Sequence, residues 1–530
     1  MWSISSRSSS SHCCSHPALS PGASSCEDVN MKRSSANTTI GILLLAAILV
    51  LINMIANTEF VRLDLTDGKI FTLSRASKSV VSNLDDPLTV KVFASRNLSP
   101  QLNDVKRFLN DLLAGYRAYG KGKFYYEFID PGSDEKLEKE AQEYRIPPFQ
   151  ENVWNKDKLE LKKVYLGMVF IYGDKQEVMQ TVQTTAGLEY NITSIIKRIS
   201  SQQSRKVGFL TGHGEPSPFD DMKQSESVLE SNYQVTTVDL AAEDEVPDDI
   251  DALLVIAPES EIPDAEKLKI DQYIMKGGPV GWFFTQVKTD IQNATAINMP
   301  LKIDAWTQNY GFRVNTDLVA DLNCSMVNIQ QRVGYFTMQN QIKYPFFPII
   351  NTFNKTHPVS RDLEVITSFF PSSIDTSSPG VGVRITPLMF TSEKSMIETG
   401  RYNIMATRKF TSAEFDRAHI PLAAALEGSF TSYFAGHDIP VGDDDKPLIE
   451  EGDLIRQSPD STRMVVIGDG NFIRDDYLTN PANVFLLLNT VDWLVNDTEL
   501  ITLRTREVAM RQLKDIPDSQ KEIWKYINWF

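Results

Sequence analysis

The chain has 530 residues, 42% of them apolar and 23% charged, a globular composition with core material for two or three domains. Its 69 acidic and 53 basic residues give a formal net charge of -16, which argues against nucleic acid as a partner because phosphate binding needs a basic surface. Three of its four cysteines (Cys13, Cys14 and Cys26) sit in the first thirty residues, which leaves only Cys324 in the folded part and no disulfide within it.

Residues 1–30 are serine-rich and aperiodic and read as disordered. His12, Cys13, Cys14 and His16 have the wrong spacing for a zinc site, since adjacent ligands do not close a tetrahedron easily. Met31 is followed by Lys32 and Arg33 and then by an apolar run from Thr38 to Ala56, so either Met1 or Met31 can be the natural start. That run, at 1.5 Å per residue, spans roughly 28 Å, about one hydrocarbon core. The alternative is a cleaved signal peptide, whose apolar core is usually shorter, about 7–15 residues, and no small-x-small cleavage site follows. The reading is therefore a cytoplasmic tail at 1–37, a transmembrane anchor at 38–57 and, by the positive-inside rule, a body outside the cytoplasmic membrane on the periplasmic side.

From 58 to 200 the pattern is α/β. "PLTVKVFASRNLS" alternates as a strand, and Val105, Leu109, Leu112 and Leu113 recur at helical spacing up to Gly120 and Gly122. The strand "KFYYEFIDP", the helix "DEKLEKEAQEYRI", the pair Pro147-Pro148 and two more strands follow, an order that resembles a thioredoxin-like fold. A redox enzyme of that kind needs Cys-x-x-Cys after its first strand, where the helix N-terminus lowers a thiol pKa; this chain has Ala94-Ser95-Arg96-Asn97. The domain reads as a packing or docking module.

A linking helix at 184–201 leads into a second domain, 201–304 joined to 461–505, in which strands and helices alternate: "KVGFL", "QVTTVDL", the fully apolar "DALLVIAP" and "PVGWFF", then "TRMVVIGDGNF". This predicts an open, doubly wound parallel sheet. Residues 305–460, rich in Phe, Thr, Pro and Gly, read as a β-rich insertion. Two loops follow strands, where open α/β sheets hold ligands: Gly212-His213-Gly214-Glu215 and Asp469-Gly470-Asn471. The first suits a structural role, a ligand or partner loop, a catalytic pair or, with the weakest support, a metal ligand; the second suits a ligand site or an Asx-turn. No P-loop motif occurs, so any ATP-driven role borrows its ATPase from another subunit. No cofactor or metal is expected. The insertion's Tyr344, Phe346, Phe347 and Phe353 suit either a β core or stacking on sugar rings.

The second domain resembles the class I glutamine amidotransferase-like fold, whose enzymes place a cysteine nucleophile on a tight turn after a strand. Here that turn reads Phe284-Thr285-Gln286, so the nucleophile is missing. As an ordered set, "VRLDLTDGKIFTLSRAS", "GFLTGHGEP", "YPFFPIINTFNKTHPVSRDLEVITSFFPSSI", "PLMFTSEKSM", "IPLAAALEGSFTSYF" and "VVIGDGNFIRDDYL…NPANVFLLLNTVDWL" resemble the GldG-like auxiliary, substrate-binding-like subunits of gliding-motility-type ABC transporters. The resemblance implies a non-catalytic extracytoplasmic component working with an ABC-2-type permease and a separate ATPase, its transported substrate unspecified; a membrane-anchored periplasmic hydrolase using His213 and Glu215 with a metal, or a carbohydrate-binding protein, is the rival. The α/β core is also similar to the non-enzymatic domain of certain intraflagellar transport proteins. Members commonly end in a second span. Residues 506–530 read here as a membrane-proximal segment whose Trp524, Ile527, Trp529 and Phe530 form either an amphipathic helix end or the approach to such a span.

Overall fold

In the computed structural model the described residues are 72–501, apart from 156–157, 202–204, 334–335, 378–379, 443–444, 479 and 498–500, together with the isolated Leu44. The expected anchor and the aromatic C-terminal segment lie outside them. Among the described residues no helix is long and apolar enough to cross a membrane. The chain divides into two units, Met1–Leu65 and Thr66–Phe530, and every strand among the described residues belongs to the second.

The first part of this second unit is a four-stranded sheet flanked by helices. Strand β1 (Leu88–Ala94) alternates buried and half-buried residues before becoming fully buried at its end. It pairs parallel with β2 (Phe124–Ile129) and antiparallel with β3 (Leu166–Tyr172), which pairs antiparallel with β4 (Lys175–Met179), giving the order β2-β1-β3-β4. Helix α1 (Arg75–Ser82) precedes β1, α2 (Pro100–Tyr119) and α3 (Glu135–Glu143) follow β1 and β2, and α4 (Leu188–Ser200) closes this part. The spacing read from the sequence explains α2: Leu102, Val105, Leu109, Leu112, Leu113 and Tyr116 form its buried face, Ser99 caps it and Pro100 opens it. Burying such side chains contributes about 1.5–3 kcal/mol each. A polar network fastens α1, α2 and α4 where their faces meet. Ser77 Oγ donates to Glu189 at 2.6 Å, Ser77 shares a hydrogen bond with Thr193 at 2.8 Å, and Tyr116 and Thr193 hydroxyls meet at 2.5 Å.

The second part is an eight-stranded sheet. Strands β5 (Lys206–Thr211), β6 (Gln234–Asp239), β7 (Ile250–Ile256) and β8 (Val280–Phe283) are joined by a late strand. Residues 305–460 supply β9 (Thr352–Phe353), β10 (Val383–Phe390) and β11 (Pro421–Gly428), and the late strand is β12 (Thr462–Ile467). The order is β9-β10-β11-β12-β8-β7-β5-β6. The five strands from β12 to β6 are parallel, while β11, β10 and β9 continue the sheet antiparallel. The same stretch also holds a long hairpin, Cys324–Val333 with Phe336–Ile350.

Helices cover both faces. Helices α5 (Lys223–Glu230) and α8 (Ala482–Leu494) bury Leu229, Leu487 and Val491 with Val207, Leu254 and Val465 on one face. Helices α6 (Asp264–Met275) and α7 (Asp304–Asn309) bury Ile270, Ile274 and Trp306 with Leu253, Trp282 and Val466 on the other. Strand β7 is apolar almost throughout because both of its faces are covered. The sheet runs outward from β5 in two directions, to β6 on one side and to β7 on the other.

Candidate functional site

In an open α/β sheet the ligand crevice lies beyond the C-terminal ends of the strands, at the point where strand order reverses. Here that point is between β5 and β7, so the loop after β5 faces the loop after β7. Gly212 and Gly214 carry φ of +119° and +85°, in the region side chains avoid. A Cβ on Gly214 would also stand 3.1 Å from that of Glu259. These two turns swing the His213 side chain inward, where it is 5% exposed.

Both ring nitrogens of His213 face carboxylates. Nδ1 lies 3.1 Å from Glu215 Oε1, and Glu215 Oε2 accepts the His213 amide at 2.6 Å. Nε2 lies 3.2 Å from Oε2 of Glu266, in the first turn of α6; that oxygen is buried and has no aligned hydrogen bond among the described residues. The His213 carbonyl accepts the Glu259 and Ser260 amides at 2.9 and 3.0 Å, which ties the two loops at the reversal point together. The Glu215 hydrogen bond raises the imidazole pKa, burial opposes it, and the charges of Glu215, Glu266 and Asp239 raise it further, so the net shift favours imidazolium. At the reversal point the buried His213 ring thus lies between two carboxyl groups of its own chain.

The second loop lies across β7 and β8. Asp469 is fully buried; its Oδ2 accepts Ser368 Oγ at 2.6 Å and the Phe369 amide at 2.7 Å, and its Oδ1 accepts the Asn471 amide at 2.7 Å. Burial pushes its carboxyl up to about 6 against the lowering effect of these donors. The Asp469–Asn471 bond is an Asx-turn. Gly470 sits so close to its neighbours that a Cβ would stand 2.6 Å from that of Ala257 and 2.8 Å from the Phe283 carbonyl. Asn471 reaches the Phe369 carbonyl and Arg474 only at 3.5 Å. The structure therefore brings His213 together with Glu215, and Asp469 with Asn471, as two separate clusters.

The turn that would carry a nucleophile is also structural. Thr285 Oγ1 donates to the Val287 carbonyl at 3.1 Å, and Gln286 Nε2 donates to Asp304 and to the Val314 carbonyl, both at 2.6 Å, holding α7 in place. In the four-stranded sheet, Ser95 exchanges bonds with Tyr165: its amide donates to the Tyr165 carbonyl and its Oγ accepts the Tyr165 amide, both at 2.9 Å. Cys324 is a buried thiol whose pKa burial raises, the wrong direction for a nucleophile. Tyr344, Phe346, Phe347 and Phe353 are all buried, packed with Phe369 and Phe370, so of the two readings the sequence left open the structure gives the β core. Among the described residues no group of three or more His, Cys, Asp or Glu is arranged to hold a metal ion.

Sequence reasoning missed Glu266, because an acid in a helix's first turn is expected for the macrodipole alone. It also missed Asp271, fully buried in α6, which accepts the Tyr310 hydroxyl at 2.6 Å, Ser432 Oγ at 2.7 Å and the Tyr433 amide at 2.9 Å. That one was readable, as a charge at helical spacing between Leu268 and Ile274 on an apolar face.

A domain of unknown function matches residues 67–171. An uncharacterized protein of Borreliella burgdorferi is 22% identical over 500 residues, covering 90% of this chain and 91% of that protein. A solved structure titled mmIFT52 N-terminal domain aligns with 55% of this chain and 97% of its own, at 14% identity and a TM-score of 0.34. The model of a family described as an ABC-type uncharacterized transport system matches residues 204–498, more than half the chain and the whole of the eight-stranded sheet, so the chain belongs to that family of ABC transport auxiliary proteins.

Proposed function

We propose that this chain is a non-catalytic, membrane-anchored auxiliary subunit of an ABC-2-type transport system, of the GldG-like kind, whose body stands outside the cytoplasmic membrane. In this reading the apolar run Thr38–Ala56 is the anchor, the four-stranded sheet with its helices is a thioredoxin-like docking module and the eight-stranded sheet is an amidotransferase-like fold put to non-enzymatic use. The permease and the ATPase are separate chains. Tethering keeps the body near the permease, which raises effective concentration without demanding a tight intrinsic interface.

One observation carries the proposal: His213, at the reversal point of the sheet, is buried with its two ring nitrogens against Glu215 and Glu266 of the same chain. A general base must be free to take a proton, and here each ring nitrogen already faces a carboxylate. The family membership supplies the transport context. The test is affinity purification of the full-length chain from its host's membranes in mild detergent. Recovery of an ATP-binding and a membrane-spanning transport subunit is expected; recovery of neither overturns the reading. Turnover of a substrate that His213→Ala abolishes, with folding and partner binding intact, would instead establish the hydrolase.

A further inference from the structure

Charge is not spread evenly along this chain. From Gln224 to Glu266 there are thirteen carboxylates and no Lys or Arg, whereas from Leu322 to Arg361 there are four cations (Arg332, Lys343, Lys355 and Arg361) and no Asp or Glu. A protein of net charge -16 thus carries one base-free and one acid-free stretch, and the fold sets exposed apolar side chains beside each.

The base-free stretch supplies the loop between β6 and β7, where Glu243, Asp244, Glu245, Asp248 and Asp249 are exposed. This loop borders a cavity of about 400 Å³ over α6, whose apolar lining is Val246, Leu268, the Tyr273 ring, Ile449 and the 45% exposed Leu448. The polar groups of its wall are already bonded. Lys269 Nζ donates to the Leu240 and Glu243 carbonyls at 2.8 and 2.7 Å, Lys276 pairs with Glu245 and Asp248, and Gln272 exchanges hydrogen bonds with the Ile455 backbone. Lys206 pairs with Asp249, and the segment 445–453 adds Asp445, Glu450, Glu451 and Asp453 against Lys446 and the Arg456 that pairs with Glu451. With these cations counted, carboxylates still outnumber them around the cavity. Among the described residues Asp244 has no cationic partner.

The acid-free stretch holds the long hairpin. Its register sets Met326 directly opposite Lys343, with Asn328 and Gln341 next to them on the same face; all four are exposed, Met326 by 60%. Val327 turns the other way and packs on the core. Among the described residues no carboxylate pairs with Lys343. At the foot of the hairpin Asp321 is buried and accepts from Ser392 and the Asn323 amide, while Glu393 and Lys394, joined there through the Leu322 amide, offset each other. Lys355 donates to the Leu363 carbonyl at 3.2 Å and Arg361 pairs with Asp362, so neither competes with Lys343.

We propose that this chain associates head to tail with a second copy of itself, Met326 of one copy entering the cavity over α6 of the next and Lys343 meeting Asp244 at its mouth. The cavity selects an apolar group because its own polar groups are bonded, and its acidic border selects a cation beside that group. The Met326–Lys343 pair supplies both, and the unbranched thioether of methionine adapts to such a site. Because the two surfaces differ, each copy in a pair keeps one of them free, and association runs past the dimer unless it closes into a ring. The inference goes beyond the auxiliary role and does not depend on it.

The full-length chain, purified in mild detergent, is expected to sediment as dimers and larger species and to shift towards monomer in high salt. Lys343→Glu and Asp244→Lys should each weaken association about tenfold, and the two together in one chain should restore it, with Tm within about 2 °C of the wild type throughout. A photo-reactive residue at Met326 should crosslink to 240–249 or 445–449 of a second copy, told apart from its own chain by mixing isotope-labelled and unlabelled protein. The same residue at Tyr125, 52% exposed on the four-stranded sheet, should not. A chain that is monomeric at every concentration overturns the proposal. So do association indifferent to both single substitutions, a double variant no better than the singles, and crosslinks from Met326 to lipid or to another part of the second copy. Each of these outcomes leaves the auxiliary role to its own test, the recovery of transport subunits.

Discussion

The His213 loop and the Asp469 loop occupy the same sheet edge and bury charge in opposite ways. His213 sets an imidazole, its pKa raised by its partners, between two carboxylates, one from its own loop and one from α6. Asp469 is an anion held by hydroxyl and amide donors alone, and its carboxyl rises to about 6. The first cluster depends on a proton staying on the imidazole. The second depends on donors that cannot leave. The contrast gives the two halves of the edge different pH windows: the β12 loop responds between the ordinary carboxyl range and about 6, the β5 loop above the ordinary imidazole value.

Four substitutions break or sharpen this contrast. The largest effect is expected at Gly470→Ala, whose Cβ would meet the Ala257 Cβ and a backbone carbonyl with no flexible side chain to yield; a loss of about 4 kcal/mol should appear in denaturant unfolding. Asp469→Asn turns an amide N–H₂ toward Ser368 Oγ–H or the Phe369 amide and should cost about 3 kcal/mol, read from the same titration.

For His213→Gln about 2 kcal/mol is expected near pH 6. A histidine whose folded pKa is raised contributes stability that is complete below its unfolded value, about 6.5, and is lost as pH rises through the folded value. The difference between wild type and His213→Gln should therefore shrink as the pH is raised from 6 towards about 9. A difference independent of pH would show that the imidazole is neutral and remove the contrast. Asp475→Ala is the smallest: its carboxylate accepts the Lys223 and Gln224 amides at 3.0 and 3.1 Å at the start of α5, and its loss should cost about 1 kcal/mol by thermal melting.

Legibility in the sequence followed the range of the interactions. Helix α2 declared itself through i, i+3, i+4 spacing and a Ser-Pro start, and β7 through an unbroken apolar run, because both signals are local. The pairing of Ser95 with Tyr165, seventy residues on, was not local and was not read. Within 305–460, β10 and β11 were legible as β-rich chain, but their place as an antiparallel continuation of the parallel sheet depends on Ala424 lying opposite Val466, a pairing that no short window contains. At the candidate site the glycines, His213 and Glu215 stood out as a cluster. Glu266, which makes that cluster an ion triad, stood some fifty residues away and looked like an ordinary first-turn acid.

The pairing of β8 with β12 sets Val280 beside Met464. On a ribosome adding about 5–20 residues per second, the 184 residues that separate them (464 − 280) take roughly 10–40 s to appear. Through that interval one side of β8, an apolar strand with its backbone groups unpaired, waits at an open edge of a half-built sheet. The nascent chain exposes that edge throughout, and a chaperone that shields a strand edge should raise its yield.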